Sequence, residues 1–174
     1  MARQPHDQNE IVAIVDFRDR AIGKATRRES HAMKKLHRIA GVIIANREGD
    51  ILVQRRADNM MLDYSASGHF PWKSTYLQGA EREVFEELGL LIPKSKFRRI
   101  GKWINRTSFR YHIVTVFEVV GNYRISDIRI DRGEVASVKY YTIKEVKRIM
   151  KDSPGRMMAG FRSALRIYFK KKGL

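Results

Sequence analysis

The segment from Thr75 to Leu88 constrains the fold most tightly. Leu77, Ala80, Val84 and Leu88 recur at helical spacing, Thr75-x-x-Gln78 has the pattern of a capping box, and Gly89 stands where a left-handed C-terminal cap belongs. The spacing predicts a helix over 75–88. Gly79 in its interior costs about 1 kcal/mol relative to Ala, so something beyond propensity is expected to keep it small there. Apolar and β-branched runs surround this helix. Glu10–Val15 and Ala21–Ala25 predict a first pair of strands, and Leu36–Ala45 and Ile51–Gln54 flank the turn residues Asn46–Asp50 as a hairpin. Ile100–Ile104, Tyr111–Val120 and Val135–Tyr141 read as further strands, Thr142–Lys151 and Arg156–Lys172 as two closing helices. Asn59–Lys73, with Ser65, Ser67, Gly68 and Pro71, reads as irregular. Strands and helices mix without regular alternation, which predicts an α/β (α+β) layered fold rather than a doubly wound sheet. With 174 residues and no repeat or linker, a single domain over 1–174 is expected.

Composition narrows the chemistry. The chain has no cysteine, which excludes disulfides, a thiol nucleophile and Cys-bearing zinc sites, and fits a reducing compartment. No apolar run reaches the ~18 residues of a membrane span, and Met1–Glu10 is too polar for a secretory signal. A soluble, cytoplasmic protein is the expectation. The formal charge of +16, from 35 Lys and Arg against 19 Asp and Glu, draws anionic partners. That surplus is regional. Leu88–Phe117 holds no acid but carries Lys94, Lys96, Arg98, Arg99, Lys102, Arg106 and Arg110, and Lys147–Leu174 has Asp152 as its single acid.

Against this background the predicted helix carries Glu83, Glu86 and Glu87, spaced i, i+3 and i+4 on one face. Positions 87, 90 and 91, where a base could pair with them one turn on, hold Glu, Leu and Leu. A hard divalent cation with oxygen ligands, Mg²⁺ or Mn²⁺, would remove the repulsion. An ordinary solvated acidic face would show the same three residues.

Gly68, followed at a fixed interval by Arg82-Glu83-Val84-Phe85-Glu86-Glu87-Leu88-Gly89-Leu90, resembles the Nudix box. Gly23-x-Ala25-x-Arg27-Arg28-Glu29, Leu36-His37-Arg38, Leu52-Val53-Gln54-Arg55-Arg56 and Ser65-Ala66-Ser67-Gly68-His69 are similar to the Nudix branch that contains isopentenyl diphosphate isomerase. The resemblance implies a Nudix-like mixed sheet sandwiched between helices. It also implies a hydrolase that splits a diphosphate linkage in a nucleoside diphosphate-type substrate. Glu83, Glu86 and Glu87 would hold the metal, and one of them or a distal carboxylate would act as base. Glu134, six residues before Tyr140, is the distal candidate, and Arg55 and Arg56 are the candidates for binding substrate phosphate, where a guanidinium fork suits phosphate oxygens. Nudix relatives are often dimers, so a homodimer is a further expectation. The box departs from its pattern at one place. Ser74 stands where the box has Glu, preceded by Lys73. In the family that Glu pairs with the box arginine, here Arg82, and Arg82 can pair instead with Glu86 at i+4.

Other readings follow from the same residues. The departure at Ser74 leaves room for a catalytically weakened binding module. Isomerase chemistry is disfavoured, because Ser67 replaces the isomerases' Cys and Tyr111–Phe117 carries no acid. His31, His37 and His69 are similar to that branch's metal histidines, but His31 and His37 are six apart rather than seven, and scattered histidines are commonly structural. Nucleic acid is a different class of partner. Phe97, Trp103, Phe109 and Tyr111 interleave with the bases of the acid-free stretch, as in stacking surfaces or an RNA 5′-end hydrolase, whereas a plain strand would turn those aromatics inward. Met158, Phe161, Leu165 and Tyr168 predict that the last helix packs on the sheet rather than lying on a membrane.

Overall fold

The computed structural model describes residues 7–106 and 111–174, so Phe109 and Arg110 lie outside the described residues. In chain order the elements are β1 (Ile11–Val15), β2 (Ala21–Thr26), α1 (Arg27–Ala32), β3 (His37–Ala45), β4 (Ile51–Arg56), β5 (Leu62–Asp63) and β6 (Ala66–His69). They continue with α2 (Tyr76–Leu88), β7 (Arg98–Arg106), β8 (Tyr111–Val120), β9 (Val135–Tyr141), α3 (Ile143–Asp152) and α4 (Ala159–Lys172).

The hub is β3. Along one edge β8 runs parallel to it from His37↔His112 to Ala45↔Val120. Three antiparallel strands share the other edge: β1 at His37, β6 at Ile39–Val42 and β4 at Ile44–Ala45. β7 continues the sheet beyond β8, and β9 and β5 flank β4. Such a central strand is buried on both faces and must be apolar on both, which accounts for Gly41-Val42-Ile43-Ile44 without polar alternation. Alternate residues still sort by face. Ala40, Val42 and Ile44 pack with Phe117 and Val119 against Ala80, Val84 and Leu88 of α2. Ile39 and Ile43 pack with Val114 and Val116 against Val146 and Ile149 of α3 and Phe161 and Leu165 of α4. The expected mixed sheet between helices is therefore the observed architecture.

The expected hairpin closes around Asn46–Asp50, where Gly49 adopts a φ of 92°. α2 begins after Thr75 with both halves of the capping box formed, and ends on Gly89 in the left-handed conformation. Phe97 is buried and Trp103 packs against the core, so these two aromatics turn inward. α4 lays Phe161, Leu165 and Tyr168 on the sheet.

Three local readings are corrected. The irregular stretch 59–73 contains β5, which pairs with β4, and β6, whose Ser- and Gly-rich backbone supplies hydrogen bonds that one edge of β3 requires. α1 was not anticipated, although Thr26 and Glu29 form a complete capping box. α4 starts at Ala159 rather than Arg156, because Met157 bridges to Leu62 and the Met158 amide donates to the Leu62 carbonyl.

Gly79 faces Phe70, and a Cβ built there would lie 2.4 Å from the ring. Replacing a helical glycine by alanine ordinarily gains about 1 kcal/mol. Here the buried ring must move, and overpacking of this kind costs roughly 1–3 kcal/mol. Gly79→Ala is expected to lower the midpoint of chemical denaturation; a raised midpoint would show that Phe70 yields freely.

Candidate active site and metal centre

Two groups of side chains meet at β6. The first comes from α2. Glu83 and Glu87, one turn apart, are both buried where the helix crosses β6. Gly68 admits the first of them, since a Cβ on Gly68 would lie 2.3 Å from Glu83 Oε2. Glu87 Oε2 accepts the Ser67 amide at 3.1 Å and the Gln54 side-chain amide at 3.3 Å. Burial pushes the Glu87 carboxyl well above the usual range, and the negative charges of Glu83, Glu134 and Asp63 push the same way against the Ser67 amide. A divalent cation among these oxygens would reverse that trend, so the donor set fits Mg²⁺ or Mn²⁺.

The remaining residues expected at the site are distributed unevenly. Glu134 reaches the neighbourhood of Glu87 because its loop is tied to the end of α2. The Arg129 and Asp131 amides donate to the Leu88 and Glu87 carbonyls at 2.9 and 3.1 Å. Glu86 is exposed, and its Oε1 accepts from Arg82 Nε at 3.0 Å. Arg56 is nearly buried at the end of β4, held by Asp58 at 2.8 Å and Asp63 at 3.3 Å. Burial opposes its charge, but the two carboxylates outweigh burial and keep it protonated. Arg55 donates to the Met60 carbonyl at 3.0 Å.

The second group was only partly legible. His31 on α1, His37 at the start of β3, His69 at the end of β6 and His112 on β8 bring one ligand atom each within 4.8 Å of one another. The register makes this so: His37 pairs with His112, and His69 pairs with Ile39 two residues further along β3. His69 Nε2 lies 3.0 Å from His37 Nε2 and 3.2 Å from His31 Nε2. Around a tetrahedral ion with metal–nitrogen bonds near 2.0–2.1 Å, ligand nitrogens are about 3.3 Å apart. His37 Nδ1 donates to the Lys35 carbonyl at 2.6 Å, which turns the Nε2 lone pair toward the other rings. Burial brings the His37 pKa down to about 4 despite that bond, with the positive charges of His31 and Arg27 adding to the effect. Burial likewise drives His69 far down, followed by Arg27 and the other rings. Neutral imidazoles are ligands for Zn²⁺, Ni²⁺, Fe²⁺ or Cu²⁺ rather than Mg²⁺. His112 joins the cluster only through the parallel pairing of β8 with β3, which local sequence does not announce. Its signal was its place two residues before Val114 and four before Val116, on the same face of β8.

A cavity of about 580 Å³ opens beside the histidines. Its lining combines His31, His69, His112, Arg27, Arg56 and Asp63 with Ile39, Met61, Tyr64 and Met158. Ser67 and Gly68, which touch the carboxylates, also face it.

Residues 35–161 match the family model of the NUDIX domain, and the chain belongs to that family. It is similar to a prenyl-diphosphate phosphatase of Methanosarcina mazei, 30% identical over 92% of this chain and 95% of the relative. It is also similar to isopentenyl-diphosphate Delta-isomerase 2 of Photorhabdus laumondii, 24% identical over 84% of this chain and 85% of the relative. Among solved structures, DR0079 from Deinococcus radiodurans superposes with a TM-score of 0.75 at 19% identity, covering 90% of this chain and 98% of that one.

Metal-free protein titrated with Co²⁺ is expected to develop the intense visible absorption of a four-coordinate nitrogen site, and His69→Ala to lose it. Absorption unchanged in that variant would mean that the rings only pack together.

Proposed function

We propose that this Nudix protein is a divalent-metal-dependent hydrolase of a diphosphate attached to an apolar, prenyl-type group. The observation that carries the reading is the mixed lining of the cavity, in which cationic and apolar side chains occur together. Arg56, Arg27, His31, His69 and His112 line it together with Ile39, Met61, Tyr64 and Met158, and its Ser67 and Gly68 adjoin the buried Glu87 and Glu83. Polar groups of a nucleoside that came to rest against Ile39, Met61 and Met158 would go unpaired, at a cost of about 1–3 kcal/mol each. The similarity to a prenyl-diphosphate phosphatase over nearly the whole chain supports the same choice.

Glu83, Glu86 and Glu87 would hold Mg²⁺ or Mn²⁺, and the four histidines a second, nitrogen-preferring cation. A divalent ion bound here supplies neutralisation of phosphate charge and an acidified water. The chain's own groups do the rest. Arg56, aligned by Asp58 and Asp63, presents a fixed cation to phosphate oxygens, and Arg55 stands beside it at the end of the strand. The apolar side chains of the lining seat the hydrocarbon and exclude bulk water. Glu134, beside Glu87, takes the proton of the attacking water. The water oxygen bonds to phosphorus, the bridging P–O bond breaks, and the leaving phosphate departs with its electron pair.

Phosphate release in the presence of Mg²⁺ tests this over prenyl diphosphates of increasing length, nucleoside di- and triphosphates and sugar nucleotides. Prenyl diphosphates are expected to turn over fastest, and Glu87→Gln to abolish turnover while the fold is kept. Faster turnover of nucleotides would overturn the substrate assignment, and undiminished activity in the variant would remove Glu87 from the metal site. Metal binding without turnover of any of these substrates would make the protein a binding module.

A further inference from the structure

The box arginine is already paired, and its partner comes from outside the box. Arg82 Nη1 donates to Glu10 Oε1 at 2.8 Å while Arg82 Nε donates to Glu86 Oε1 at 3.0 Å. Glu10 lies 72 residues away in sequence and just before β1. Its carboxylate is among the less accessible charged groups described, with a side chain 8% exposed against 22% for Arg82 and 38% for Glu86. Its backbone is fixed as well: the Arg27 amide donates to the Glu10 carbonyl at 2.8 Å, and the Trp72 amide to the neighbouring Ile11 carbonyl at 3.0 Å. Ser74, at the place of the box glutamate, instead closes a turn through its amide to the Pro71 carbonyl at 2.8 Å.

From this arrangement we infer that Glu10 is a positioning residue for the metal carboxylates, supplying to Arg82 the negative charge that position 74 lacks. The inference rests on the box acids being the metal site. The physics is a competition for one guanidinium. An arginine faced by Glu86 alone would put its whole charge on that carboxylate, and in a partly buried site it would also repel an incoming divalent ion. Glu10 takes the Nη1 edge, neutralises the arginine and limits Glu86 to the Nε edge. The segment that does this precedes the part of the chain matched by the family model, which begins at residue 35.

The test is Mn²⁺ binding to the whole protein, followed by electron paramagnetic resonance of the free ion, with thermal melting and steady-state kinetics alongside. The His69→Ala background keeps the histidine cluster out of the titration. Loss of a partner outside the ligand set typically weakens a metal site 10–100-fold. Glu10→Gln is expected to weaken Mn²⁺ binding by that order and to lower kcat while leaving KM nearly unchanged. Adding Ser74→Glu to Glu10→Gln is expected to restore most of the loss, because the new carboxylate enters from the box side. A folded Glu10→Gln protein that binds Mn²⁺ as tightly as its parent would overturn the inference, as would a double variant no better than the single one. Should Glu10→Gln not fold, the double variant decides alone: tight Mn²⁺ binding supports the role, and weak binding or failure to fold refutes it. A parent protein that binds no Mn²⁺, or binds it equally well as Glu87→Gln, refutes the metal-site reading itself and is distinguishable from both results.

Discussion

The pairing of β6 with β3 is the contact on which both candidate metal centres depend. Four residues, Ala66 to His69, run antiparallel to Ile39–Val42, and each of the last three serves the site through a different part of its structure. Ser67 offers its amide to Glu87, Gly68 gives up the volume that Glu83 occupies, and His69 contributes its ring to the histidine cluster. Because side chains alternate across a sheet, a one-residue slip of this strand would bring a Cβ against Glu83 and turn the imidazole away from its neighbours. The register is held from both sides, by the apolar packing of Ala40 and Val42 on α2 and by the Ser65 hydroxyl, which accepts the Ile44 amide at 2.8 Å.

Charge is organised on two scales. Over the whole chain the excess is +16, a field suited to drawing in a diphosphate. Inside, Glu83, Glu87, Glu134 and Asp63 form a local acidic centre, and the nearly buried Arg56, paired with Asp63, lines the cavity next to it. A long-range attraction for anions and a short-range demand for a divalent cation are thus present together. The pair Glu118 and Lys172, 2.6 Å apart, uses one of the surplus lysines to fasten the end of α4 to β8.

The fold was legible wherever a local rule sufficed. Thr75, Gln78 and Gly89 bracket α2, and the hairpin around Gly49 follows from its turn residues. β6 was not legible, because what makes it a strand is the vacant edge of β3, a partner distant in sequence, and β5 is only two residues long beside β4. The site divides in the same way. Glu83 and Glu87 stand out through helical spacing, and Gly68 through its interval from them. The histidine cluster depends on the parallel pairing of β3 with β8, which no local pattern announces, and so His112 passed as a strand residue. Glu86, one helical turn from Arg82, is a partner that spacing reveals; Glu10, 72 residues away, is one that only the fold brings near.

The leading layer of β1, β2 and α1 bears on how such a protein is dissected. The segment recognisable by family begins at residue 35, yet His31 and Glu10 both precede it. A fragment trimmed to the recognisable boundary would retain the signature motif and lose one imidazole and one carboxylate from its surroundings. The stretch that the family model matches is thus shorter than the stretch that contributes these side chains.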